Sequence, residues 1–266
     1  MPGSTYISKN LTGDQLRLAK ELSWMEIEWF RLENLQERLE SQYKNIQELV
    51  ENLVHKGILK RAERGVYFNA NFNDTNVIGT LIVKRGAIAY WSALHQHGLA
   101  SRFPNTVFVQ TTHRKNSKSV FKVPYKFISV TERKFVGIRT NGYGNYQYKI
   151  TDVDKTIIDC FDQPQYSSGF DGLVHAFALA RLNSQNLIEY CTAINNIAVI
   201  KRMGFLAELF QKQGTKGFIN WAGRQVNLKY NLMDSGGLDE GEFIGKWKLR
   251  LNVSKEDLLN LATEIY

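Results

Sequence analysis

The chain has 266 residues, 43% of them hydrophobic and 23% charged, with a formal net charge of +8. This composition suits one large or two ordinary globular domains and excludes a disordered or low-complexity polymer. No apolar run approaches the roughly 18 residues of a membrane-crossing helix, and the opening MPGSTYISKN lacks the apolar centre of a signal peptide, so a cytoplasmic chain with no membrane partner is expected.

Leu11 to Met25 reads as a first helix, capped by Thr12, with Leu16, Ala19, Leu22 and Met25 on one face. Trp24, Trp29 and Phe30 read as core aromatics. Leu32 to Leu39 reads as a second helix, with Leu32, Leu35 and Leu39 at helical spacing. The stretch Ser41 to Phe68, SQYKNIQELVENLVHKGILKRAERGVYF, then organises the N-terminal part. Ile46, Leu49, Val50, Leu53 and Val54 mark an amphipathic helix, with Ser41 as its cap and Gly57 as its stop. Ile58–Arg61 and Val66–Phe68 read as two short strands, joined by Ala62-Glu63-Arg64-Gly65.

Three helices and a hairpin predict a winged helix-turn-helix over residues 1–70. With Val50 central to the buried face, Lys44, Asn45, Glu48, Asn52 and His55 point outward. Lys can bond guanine, Asn adenine, and Glu can accept from cytosine. Lys44, Asn45 and Glu48 are therefore candidate base readers, flanked by Gln42. Lys60, Arg61 and Arg64 suit phosphates, which position without specifying. The alternative is an ordinary solvated helix face.

The polar run Asn69–Asn76 reads as a linker, and residues 76–266 as a second, mixed α/β domain, giving an α+β chain overall. Helices are expected at Val77–Lys84, Ala87–His97, Thr151–Phe161, Gly172–Leu182, Ser184–Ile194 and Ala198–Gln213. Strands are expected near Thr106–Thr111, Tyr125–Thr131, Phe135–Arg139, Tyr146–Ile150, Val226–Tyr230 and Trp247–Leu251. Asn141-Gly142 and Gly144-Asn145 are turn signals. Thr151 is the expected cap of its helix, and Ser254 caps a last one with Asp257 three positions on. Cys160 and Cys191 read as small buried hydrophobes, as in an intracellular chain.

Charge is unevenly placed. Residues 1–75 hold 10 Lys+Arg against 11 Asp+Glu, whereas residues 76–266 hold 24 against 15, a net of +9. The densest basic run is Arg114, Lys115, Lys118, Lys122, Lys126, Arg133, Lys134 and Arg139, with Glu132 among them. This predicts a phosphate-facing surface on the second domain, lying along DNA beside the winged helix, with RNA or an acidic protein surface as the alternative partner. Asp152, Asp154, Asp159 and Asp162 read as first-turn and solvent-facing acids rather than metal ligands. His95, His97 and His113 do not match a zinc spacing. No nucleophile elbow, phosphate loop or kinase set is present. No enzyme activity, metal or cofactor is expected.

Several stretches together resemble one family. They are YWSALHQHGL (90–99), PNTVFVQ (104–110), ITDVDKTIIDC (150–160), IKRMGFLAEL (200–209) and GKWKLRLNV (245–253). Their order is similar to that of the AbiEi-family antitoxins, the regulators of type IV toxin–antitoxin and phage-defence pairs. The resemblance implies a winged helix joined to an antitoxin domain. It also implies double-stranded operator DNA with inverted repeats as partner, and repression of its own operon. The opposed toxin would be nucleotidyltransferase-like and need not form a stable complex; an acidic surface on it is the alternative partner of the basic run.

Carried over by position, the family's basic wing falls on Arg61 and Arg64. Its acid-Lys helix start falls on Asp154-Lys155, a basic helix position on Arg181, and a basic pair on Lys201-Arg202. Lys155 and Arg202 equally suit internal ion pairs. The reading helix departs from the family in having only Lys44 as a basic residue in its first two turns. That shifts the expected affinity toward the wing and the second domain. The alternatives are a stand-alone viral-defence regulator, or an enzyme that modifies a nucleotide or nucleic acid.

Overall fold

The computed structural model describes residues 10–39 and 42–263. The chain forms two compact units, residues 1–82 with 142–147 and residues 83–141 with 148–266. Among the described residues there are eleven α-helices and three sheets, an α+β fold.

In the first unit, Thr12 caps α1 (Gly13–Trp24) reciprocally: its hydroxyl accepts from the Gln15 N–H, and the Gln15 side chain accepts from the Thr12 N–H. β1 (Trp29–Arg31), α2 (Leu32–Leu39), α3 (Ile46–His55), β2 (Leu59–Glu63), β3 (Val66–Asn69) and α4 (Thr75–Leu81) follow. The sheet is antiparallel with β3 central, in the order β1-β3-β2. Leu18, Leu22, Leu35, Leu39, Val50, Leu53 and Leu59 form the core, with Phe30 stacked on Tyr67 at 5.5 Å.

Three expectations need correcting here. Trp24 is not a core aromatic: it is 85% exposed. The buried stripe of α1 is Gln15, Leu18 and Leu22, and a residue two positions beyond Leu22 lies about 200 degrees round the helix. Leu16, expected on the buried face, is exposed for the same reason. The run Asn69–Asn76 is no linker either. Phe72 is buried and stacks on Phe68 and Tyr146, and Asp74 caps α4 by accepting from the Val77 N–H at 2.8 Å.

The second unit begins with β4 (Gly86–Ile88) and α5 (Tyr90–Gln96), where one helix was expected over Ala87–His97. Ala87, Ile88 and Ala89 are buried, and Tyr90 takes a left-handed φ of 54°, which breaks any continuous helix. β5 (Val107–Thr111), β6 (Lys118–Val120), β7 (Val123–Ser129), β8 (Ile138–Asn141) and β9 (Tyr148–Thr151) complete a mixed sheet in the order β6-β7-β5-β4-β9-β8. Helices α6 (Val153–Asp162), α7 (Phe170–Leu179), α8 (Ser184–Ile194), α9 (Ile197–Leu209) and α10 (Lys216–Gln225) follow. A small sheet has β10 (Asn231–Leu232) beside β12 (Leu249–Leu251), which pairs in turn with β11 (Glu242–Ile244). α11 (Lys255–Thr263) ends the described chain.

α6 packs on α5, α7, α8 and α9. Its cap is Asp152, which accepts from the Lys155 N–H at 2.9 Å, whereas the expected cap Thr151 is a buried strand residue. Cys160 and Cys191 are buried free thiols, and burial pushes both well up from their ordinary range.

Gly204 of α9 explains two of the quoted motifs together. A Cβ there would lie 2.3 Å from the Trp247 ring, so only glycine lets the buried indole lie on the helix. The indole N–H then donates to Glu208 at 2.8 Å. IKRMGFLAEL and GKWKLRLNV are thus two halves of one packing contact.

Candidate nucleic-acid interface

α3 starts later than expected. Ser41 lies outside the described residues, and Asn45 is the cap, its side-chain oxygen accepting from the Glu48 N–H at 3.2 Å. Ile46, Val50 and Leu53 are buried, as the periodicity required. Gln42, Lys44, Asn45 and Glu48 are all exposed, but Gln42 and Lys44 belong to the turn before the helix. Asn45 also donates to the Glu48 carboxylate at 3.0 Å, so these two candidate readers satisfy each other.

That turn is held to α1. The Tyr43 ring is buried beneath the Arg17 guanidinium, 4.6 Å from its centroid, and its hydroxyl donates to Glu21 at 2.7 Å. Arg17 also donates to the Gln42 carbonyl at 2.8 Å. Burial, and then the bond to Glu21, push the Tyr43 phenol up. Arg17 and Tyr43 were not singled out in the sequence, because a clamp between residues far apart in the chain leaves no periodic trace.

A hollow between α2 and the start of α3 is lined by Glu33, Glu37, Lys44, Asn45 and Gln47 among others. Gln47 is exposed and is a further candidate reader, since Gln can pair with adenine. By spacing it flanks the buried stripe, about 60 degrees from Val50. It is nevertheless open because it sits in the first turn, at the edge of the hollow. The two glutamates there oppose any phosphate approaching Lys44.

In the hairpin, Glu63 pairs with Val66, so Arg64 and Gly65 form the turn, with Gly65 at φ 75°. Arg64 is exposed at the tip. Arg61 is differently placed: it is ion-paired to Glu51 of α3 at 2.9 Å, and the same carboxylate accepts from the Tyr67 hydroxyl at 2.6 Å. Those two donors, Tyr67 first, hold Glu51 below the usual carboxylate range, while burial and the bond to Glu51 push Tyr67 up to about 12. Lys60 donates to Asn73 at 3.2 Å, and burial lowers its pKa.

The basic surface expected on the second unit is not a single surface. Lys155 is fully buried and ion-paired to Asp159, one turn along α6. Gln110 donates to the same carboxylate at 3.1 Å, and burial raises the Asp159 pKa. Lys201 is fully buried as well, donating to the side chains of Asn227 and Asn231 and to the Lys229 carbonyl. Arg202 is buried and donates to the Leu232 carbonyl at 2.9 Å. These three cations tie elements together and cannot face phosphate. Arg181 and Arg114 are exposed.

The 114–139 run is also split. Lys118 lies on edge strand β6, and Arg139 on β8 at the opposite edge of the sheet. Lys115 sits over Phe127 and Lys126 over Tyr166, and Lys126 and Phe127, consecutive residues of β7, face opposite ways. Lys134 pairs with Asp162 at 2.8 Å, and Arg139 with Asp152 at 3.7 Å. The four aspartates 152, 154, 159 and 162 all have internal partners; Asp154 accepts from the Asn183 N–H at 2.8 Å and from Asn186 at 2.9 Å.

No protein-family model matches the chain, and no curated protein matches it in sequence. Among solved structures it is similar to the Rv2827c protein of Mycobacterium tuberculosis, with a TM-score of 0.69 at 11% identity, covering 97% of each chain. At that identity the likeness is one of fold.

Proposed function

We propose that the N-terminal unit is a winged helix-turn-helix module and that the chain is a DNA-binding antitoxin that represses its own operon. The observation that carries this reading is α3: one face buried on Val50, the opposite face exposing Glu48, with Gln47 open beside the buried stripe, followed directly by a hairpin with Arg64 at its tip. In that reading α3 enters the major groove and the hairpin lies along the backbone. Asn45 and Glu48 release each other to meet base edges, and Gln47 reads beside them. Arg64 and Lys44 meet phosphate. With Arg61 neutralised by Glu51, and Glu33 and Glu37 near Lys44, few phosphates are neutralised, so the salt dependence is shallow.

The test is a titration of a labelled duplex from upstream of the chain's own reading frame, over a salt series. The expected slope of log K against log[salt] is about −2 to −3, at about 0.9 per phosphate, with preference for the native duplex over a scrambled one. Equal affinity for both duplexes sinks the operator reading. The antitoxin half is tested separately, by co-expression with a nucleotidyltransferase-like protein encoded beside it. Operator binding with no relief of toxicity would favour the stand-alone regulator.

A further inference from the structure

The small sheet of the second unit has an aromatic and cationic outer face. Leu249 and Leu251 of β12 are buried, so Arg250 between them points the other way. Phe243 of β11 lies directly across from Arg250, and residues paired in this way share a face. The Arg250 guanidinium sits 5.0 Å from the centroid of the Phe243 ring. Tyr230, next to β10, meets Phe243 edge to face at 5.0 Å, and the Lys248 ammonium sits 5.1 Å from the Tyr230 centroid. Phe243 remains 57% exposed, and Leu228 is 88% exposed.

This face is held open by the interior beneath it. The fully buried Lys201 ammonium donates to the Asn227 side chain, the Lys229 carbonyl and the Asn231 side chain, one bond for each of its protons. The loop that carries Leu228, Lys229 and Tyr230 is thereby pinned at three points. All three acceptors are neutral, so the Lys201 charge is not cancelled. Burial, and then the nearby Lys229 and Lys248 ammonium groups, lower the Lys201 pKa. None of the three lysines forms an ion pair with another described residue. Arg250 is matched by Asp239 at 2.7 Å, and Glu242 by Lys255 at 3.5 Å. Unmatched cations gathered beside two rings call for a partner that is both anionic and planar.

We infer that this face binds a single-stranded nucleic acid, with unpaired bases on Phe243 and Tyr230 and phosphates on Lys229 and Lys248. Aromatic side chains on a sheet, flanked by cations, hold single strands because every base has a π-face and every linkage a phosphate. A duplex keeps those faces inside its own stack, so the rings select unpaired strands. An acidic protein segment would answer the lysines but offer the rings no run of planar groups. The inference does not rest on the DNA-binding reading, which concerns α3 and the hairpin of the first unit.

The experiment is fluorescence anisotropy of a labelled uridine decamer and a labelled thymidine decamer, each titrated with the full-length chain over a salt series. At least one decamer should bind saturably. Phe243→Ala should weaken that binding about tenfold, the order of one lost base stack, whereas Phe243→Tyr keeps the ring and the affinity. Lys229→Gln with Lys248→Gln should reduce the magnitude of the salt slope by about 1.4, at about 0.7 per phosphate on a single strand. Arg64→Ala should leave decamer binding unchanged, so this proposal and the operator reading fail separately. No saturable binding of either decamer overturns the proposal, as does an affinity that Phe243→Ala leaves unchanged or that Arg64→Ala abolishes. Displacement of the bound decamer by a glutamate decamer as readily as by unlabelled decamer gives the face to an acidic protein segment and overturns it equally.

Discussion

The cations at the motif positions singled out in the two units are placed differently. In the first, Lys44 and Arg64 stand at the surface, and Arg61 is held by a half-exposed pair with Glu51. In the second, Lys155, Lys201 and Arg202 are buried and act as struts, each bridging elements or turns that would otherwise leave polar groups unpaired. A motif position that carries a charge is therefore no guide to a charged surface. The same residue type stands at the surface in one unit and is part of the framework in the other.

The largest test of this contrast is Lys155→Met. It strands the Asp159 carboxylate in the core, and breaking a buried pair from one side costs about 3–5 kcal/mol, to be read from urea unfolding. The pH dependence follows from the sign of the Asp159 shift. Burial already raises this carboxyl, and without Lys155 its folded pKa stands further above the unfolded one. The folded variant then takes up a proton that the unfolded chain does not, so its deficit against wild type shrinks as pH falls toward the carboxylate range. A deficit that is constant with pH would show that Asp159 is not the stranded group.

Gly204→Ala comes next. The added methyl group meets Trp247, and overpacking of this kind costs about 1–3 kcal/mol, visible as a lowered thermal midpoint and altered tryptophan emission. Arg64→Ala should leave stability unchanged and, under the DNA-binding reading, reduce the magnitude of the salt slope by about one. Arg61→Ala should change the slope less, because its charge is already matched by Glu51. Equal slope changes for the two would remove the distinction drawn between them.

Glu51→Gln is the smallest effect. The Glu51 carboxyl is held below its ordinary range, so its contribution is fully present above that range and is lost as pH falls through the lowered folded value. The stability gap between wild type and variant should close in acid unfolding at that end of the scale. A gap that persists below it would assign the stabilisation to something other than the ionised carboxylate.

What could be read from the sequence depended on whether the signal was local. The bounds of α2 and α8, the Val50 stripe of α3 and the Ser254 cap with Asp257 all match, because caps and periodicity are written within a few residues. The β4–α5 break was hidden, since a left-handed Tyr90 has no composition mark. α10 was missed because Gly217 and Gly223 lower its helix propensity, and only Phe218 and Ala222 give it a buried face. β6, on the sheet edge, is too short for alternation to register. At the candidate interface, exposure of Lys44, Glu48 and Arg64 was legible from helix geometry and turn chemistry. The burial of Lys201 was not, because its partners Asn227, Lys229 and Asn231 lie more than twenty residues away; that of Lys155 stood only as one of two readings, since its partner Asp159 is one turn along but its burial depends on the packing of α6. The Arg61–Glu51 pair was missed because it likewise joins residues of different elements.

The segment 142–147, between β8 and β9, belongs to the first unit. The Trp29 indole donates to the Asn145 carbonyl at 2.9 Å, Asn145 donates to the Glu26 carbonyl, and Tyr146 stacks on Phe72. A ribosome making this chain therefore releases residues 1–82 well before the last pieces of their unit exist. The N-terminal unit emerges first but is finished late, with Trp29 and Phe72 waiting on partners encoded beyond β8. Residues 83–141 are synthesised in that interval, so the assembly schedule of the two units is interleaved rather than consecutive.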